Sequence, residues 1–130
     1  MSRSSFDPVI PVAERPRVAI VAPPDLDYDL MARKLDVFLE PLRYPLFLVL
    51  RLGDLTEKLS RWCGRGNMDL QVFHPDLERF PPVTATGMAR EEMIRMATHV
   101  VAFDDGNYAE IAHVIEAARA GRRKLRVVEI

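Results

Sequence analysis

The chain has 130 residues, 48% hydrophobic and 28% charged, which suits one soluble globular domain and excludes disorder over most of its length. A formal net charge of -1 gives no global attraction to nucleic acid or to an anionic membrane. A single cysteine excludes an intrachain disulfide and no apolar run reaches membrane-spanning length; the first residues also lack the apolar stretch of a secretion signal, so a cytoplasmic location is expected.

Residues 1–16 carry Ser4, Ser5, Pro8, Pro11 and Pro16 among scattered apolar residues and read as an N-terminal arm, with the domain proper at 17–130. Such an arm is expected to dock on a neighbour, which points to a homo-oligomer or a protein partner. Residues 17–22 (RVAIVA) form a β-branched run that reads as a buried strand ending at Pro23-Pro24. Asp27 is placed to cap the following helix, where Leu30, Met31, Leu35, Phe38, Leu39 and Leu42 recur at helical spacing until Pro45 forbids continuation.

Residues 46–50 (LFLVL) predict a second strand, and Asp54-Leu-Thr-Glu57 after Gly53 has the pattern of a capping box opening a short helix. Leu55, Leu59 and Trp62 supply its buried stripe, and Cys63 beside them reads as core. A third strand is expected at 69–73, then a long loop over 74–87 that contains Pro75, Pro81 and Pro82. Met88, Met93 and Met96 suit a helix over 87–97, as adaptable core or interface filler.

Residues 99–103 (HVVAF) predict a fourth strand. Asn107-Tyr-Ala-Glu110 resembles a second capping box, and Ile111, Val114, Ile115 and Ala118 carry its helix to Gly121. Residues 125–130 supply the fifth strand. Apolar strands alternating with helices predict an α/β fold: a Rossmann-like, doubly wound parallel five-stranded sheet with helices on both faces. The one dense basic run, Arg119, Arg122, Arg123, Lys124 and Arg126, falls at a helix end, where cations complement the helix dipole, and is read that way in preference to nucleic-acid binding.

The order of elements, RVAIVA near the start and THVVAFDDGNYAEIAHVIEAARAGRRKLRVV near the end together resemble the SLOG superfamily, a Rossmann-like group that includes the lonely-guy phosphoribohydrolases. The resemblance covers residues 17–130 and is most detailed in the C-terminal third. It implies a nucleotide-derived ligand at the carboxyl ends of the strands. Members of the small branch place a glycine and arginine after the first strand, a double glycine and an Asp after the second, an Arg-Asn pair before the third helix and a Gly-Thr at the fourth. Here those positions correspond to Pro23-Pro24, to Leu50-Arg51 or Arg51-Leu52 with Thr56 for the Asp, to the neighbourhood of Arg90, and to Glu110-Ile111.

Glycine lets backbone N–H groups approach a phosphate, and a carboxylate in the first helical turn repels one, so ordinary phosphate binding is disfavoured. If the strand order is 3-2-1-4-5, Asp25, Asp27 and Asp29 face Asp104, Asp105 and Glu110 across the switch point, and an acidic crevice is expected. His74, His99 and His113 lack metal-site spacing, and no GxSxG, P-loop or GxGxxG pattern occurs, so no metal, cofactor or catalytic residue is assigned.

Three functions are therefore carried forward, in this order. The first is a non-catalytic module that senses or sequesters a nucleotide-derived small molecule, with Pro24, Thr56, Arg90, Asp105, Gly106, Asn107 and Glu110 lining its crevice. The second is an assembly or interaction protein that kept the fold and lost the ligand site. The third is a nucleotide N-glycoside hydrolase, which would need Glu110 or Glu116 as its carboxylate.

Overall fold

The computed structural model describes residues 14–130. Most of the predicted arm, residues 1–13, lies outside them. Its last residues are tied to the domain. Arg15 donates to the Tyr44 and Pro45 carbonyls at 2.7 and 3.2 Å and pairs with Asp69 at 2.9 Å, while the Pro16 carbonyl accepts from the Leu46 N–H.

From there the described chain runs β1 (Arg17–Val21), α1 (Tyr28–Leu39), β2 (Leu46–Leu50), α2 (Leu55–Arg65), β3 (Asp69–Phe73), α3 (Pro82–Met96), β4 (His99–Asp104), α4 (Ala109–Ala120) and β5 (Lys124–Glu129). The five strands form one parallel sheet in the order β3-β2-β1-β4-β5, the Rossmann-like arrangement expected from the alternation of elements.

Burial explains the order. The second strand is buried at every position, and the first at every position after Arg17, so each needs cover on both faces and occupies the middle. The edge strands β3 and β5 expose Asp69, Gln71, Lys124, Arg126 and Glu129, polar groups that discourage pairing with another sheet.

Two apolar layers flank the sheet. On one face Met31, Leu35 and Leu39 of α1 and Leu55, Leu59 and Trp62 of α2 pack on Val18, Ile20, Phe47 and Val49. Phe47 meets Trp62 edge to face with centroids 5.1 Å apart, and the Trp62 indole N–H donates to Asp36 at 3.1 Å. On the other face Ala89, Met93 and Ile94 of α3 and Ile111, Val114 and Ala118 of α4 cover Ala19, Leu48, Val100 and Ala102.

Cys63 is buried, as expected, and burial, with the charge of Asp69 adding to it, pushes its thiol up to about 12. In the native protein it is therefore expected to resist a thiol-specific disulfide reagent at neutral pH and to react promptly in denaturant. Prompt native reaction, followed by absorbance, would show that the α2 face opens.

Several local expectations are corrected. The predicted 74–87 loop ends at Phe80-Pro81, because Pro82 opens α3 at its first position instead of breaking it; a proline there loses no helical hydrogen bond. Residues 83–86 belong to that helix, with Ala85 fully in the core. Helix α1 stops at Leu39, leaving Leu42 to pack from the following turn. Asp27 does cap α1, accepting from the Leu30 N–H at 2.9 Å. Neither predicted capping box forms: Asp54 makes no side-chain cap and Glu57 pairs with Arg51 at 2.9 Å, while α4 is opened by Tyr108, not Asn107.

Candidate functional site

In a doubly wound sheet the ligand crevice lies beyond the carboxyl ends of the strands where the chain reverses direction, here between β1 and β4. The loop after β4 enters it through a compact turn. The Asp104 carboxylate accepts from the Gly106 N–H at 2.9 Å, and the Asp105 carboxylate accepts from the Asn107 and Tyr108 N–H groups at 2.9 and 3.1 Å. Gly106 takes φ of +79°, which a side chain rarely adopts, and a Cβ there would meet nothing within 4 Å. The glycine thus serves the positive-φ turn, and the space beside its Cα is open.

That turn delivers Tyr108 and Glu110 to the crevice. Glu110 is 9% exposed, and both of its oxygens are taken by Arg90 of α3: Nε donates to Oε2 at 2.6 Å and Nη2 to Oε1 at 2.7 Å. These bonds raise the Arg90 guanidinium above its ordinary value against the opposing effect of burial. Burial and the Glu110 charge raise the Tyr108 phenol. Beside the pair, Ala22, Leu50, Leu52, Leu55 and Tyr108 converge on a cavity of about 10 Å³. That is at the threshold for one water, whereas small-molecule sites enclose ~300–1,000 Å³.

The residues expected to line one crevice are therefore divided. Arg90 and Glu110 meet. Asp105, Gly106 and Asn107 form the adjoining turn, with Gly106 and Asn107 exposed. Pro24 is exposed in the loop after β1, where a Cβ on Gly53 would sit 3.6 Å from its own Cβ. That loop is tied to α2 by Lys58, whose ammonium donates to the Pro24 and Leu26 carbonyls at 3.1 and 2.6 Å. Thr56 is 4% exposed, and its hydroxyl has no hydrogen-bond partner.

The expected acidic crevice is also corrected. Asp25, Asp27 and Asp29 are exposed, Asp27 as the α1 cap; Asp104 and Asp105 turn their carboxylates to backbone N–H groups, and Glu110 is neutralised by Arg90. Among the described residues no three His, Cys, Asp or Glu side chains are grouped to hold a metal ion.

The basic run divides as well. Arg123 caps α3, donating to the Ile94 and Arg95 carbonyls at 3.0 and 3.1 Å, and Arg126 lies over the Phe38 ring at 4.5 Å. Phe38 belongs to the α1 layer, on the opposite face of the sheet from α3.

Sequence reasoning missed a larger concavity. A groove of about 490 Å³ runs between α3 and α4, with Gly87, Ile94, Ala117 and Ala120 along it and Arg90 and Arg123 at its sides. Its signal is positional: residues 87, 90 and 94 share one side of α3, and 113, 117 and 120 one side of α4. Small residues at several of those positions leave the space unfilled.

No family model matches the chain, and the curated proteins contain no match to it. Fold and site together define a Rossmann-like α/β protein whose switch point is filled by its own side chains. Among the described residues no helix is long and apolar enough to cross a membrane.

Proposed function

We propose that this chain is a non-catalytic interaction module, a SLOG-like scaffold that works through its helix faces and not through the switch-point crevice. The observation that carries this reading is the bidentate Arg90–Glu110 pair beside a cavity of about 10 Å³. A ligand entering there must part the two groups and leave Glu110 buried without its cation. Loss of one partner from a buried pair costs about 3–5 kcal/mol. Since about 4 kcal/mol is a thousandfold in affinity, a ligand needs strong new contacts to compete.

A second reading keeps the nucleotide-derived ligand, and Arg90 favours it. A guanidinium held bidentately by a carboxylate at a switch point has the geometry to hold a phosphate instead. The hydrolase reading has less support. Both Glu110 oxygens are taken by Arg90, which leaves neither free to face a substrate, and Glu116 is exposed on α4.

A thermal-shift screen separates the first two readings. The purified protein, with and without magnesium, is expected to show no saturable rise with nucleotides, cyclic nucleotides, ADP-ribose derivatives or nucleosides. A saturable rise that disappears in Arg90→Met would overturn the interaction reading in favour of the ligand module.

A further inference from the structure

We propose that the groove between α3 and α4 is the face on which a second copy of this chain docks about a two-fold axis. This deepens the interaction reading by naming its partner.

The first ground is shape. An isologous contact needs a surface complementary to itself, so knobs and holes must lie side by side on one face. Helix α3 carries both. Val83 is 87% exposed and Met88 50% exposed, so two large apolar groups project from this helix. Val83 stands four residues before Gly87 and seven before Arg90, on the side of α3 that borders the groove. Met88 follows Gly87 and stands three residues before Glu91 on the rim. Beside these projections, Gly87, Ala117 and Ala120 leave the groove hollow. In a two-fold arrangement the Val83 and Met88 of each copy enter the hollow of the other, and the unbranched methionine adapts to its shape.

Charge is the second ground. The rim carries Glu91, Arg95, His113 and Glu116, so both signs are present on one face. Glu91 and Arg95 pair only with each other, at 3.2 Å across one turn, and both remain largely exposed. An exposed pair of that kind contributes little within one chain and exchanges readily for pairs across an interface. A uniformly acidic or basic partner would meet like charge somewhere on this rim, whereas a rotated copy can set the Arg95 of each chain against the Glu116 of the other. At its sides Arg90 is neutralised by Glu110, and the Arg123 guanidinium is occupied by backbone carbonyls.

The test is the solution mass of the full chain by light scattering coupled to size exclusion, over a wide concentration range. The expected mass is twice the 14.8 kDa of the chain. Met88→Glu places a charge on an exposed site, and Ala120→Arg fills the hollow from an exposed helix position; neither alters the core. Each is expected to weaken the dimer by about tenfold or more while leaving the circular dichroism spectrum unchanged. Val37→Glu, on the exposed side of α1, is the control and is expected to leave the dimer intact.

A chain that stays monomeric throughout would overturn the proposal, as would a dimer indifferent to both groove variants. The ligand screen fails separately. A groove-dependent dimer together with a nucleotide-induced shift upholds the docking face and removes the closed-crevice reading, while a monomer with a flat screen does the reverse.

Discussion

Replacing Arg90 by alanine is expected to lower the unfolding free energy by about 3–5 kcal/mol, because it strands the Glu110 carboxylate, 9% exposed, in an apolar pocket without its cation. The reciprocal change, Glu110→Ala, is expected to cost less. Arg90 keeps 19% exposure and borders the α3–α4 groove, so a freed guanidinium can turn toward water. Replacing both residues by apolar side chains of similar length, Arg90→Met with Glu110→Leu, is expected to be neutral or stabilising, since the desolvation of both charges is then relieved. Urea unfolding of the native protein and the three variants measures each of these effects. A cost below about 1 kcal/mol for Arg90→Ala would mean that the pair behaves as an exposed surface contact.

The other large effect belongs to the opposite layer of the sheet. Phe47 is fully buried in the central strand β2 and meets Trp62 edge to face. Phe47→Ala is expected to destabilise by about 3–5 kcal/mol through lost transfer energy and the cavity left behind. Trp62 is the only tryptophan, so its fluorescence reports the same site, and its native emission should shift to the red as the indole loses its aromatic neighbour. The two sites lie in separate apolar layers with no shared partner. The combined loss in Phe47→Ala with Arg90→Ala should therefore be additive within about 0.5 kcal/mol.

The sheet was legible in the sequence because its signals are strong and local. Val18 to Val21 and Leu46 to Leu50 are unbroken apolar runs that only a doubly covered strand can hide, and each is separated from the next by a helical period. The start of α3 was not legible, because Pro81-Pro82 carries the signature of a loop as well as that of a helix opening. The difference depends on whether Ala85 and Ala89 find a sheet to pack on, which is a tertiary fact.

The site was legible only in part. Arg90 and Glu110 could be named as residues of the switch point, but they stand twenty positions apart, and nothing in a single sequence says that they join. Read alone, Glu110 looked like half of a capping box and a source of negative charge. Joined to Arg90, it is neither. The acidic crevice failed for the same reason: each carboxylate acquires its partner, a backbone N–H or a guanidinium, only when the loops have folded. The α3–α4 groove was hidden because it is made by small residues on two helices, and which helices stand side by side follows from the topology, not from either helix.

The claim that the protein's own side chains close the switch point is tested most directly by the side-chain Nε–H resonance of Arg90, followed by nuclear magnetic resonance during titration with nucleoside monophosphates and ADP-ribose. The closed pair predicts a slowly exchanging signal, lost in Glu110→Ala and unmoved by any of these ligands in the native protein. A rapidly exchanging signal, or one that shifts saturably as a phosphate is added, would contradict it and show that Arg90 is open to a ligand.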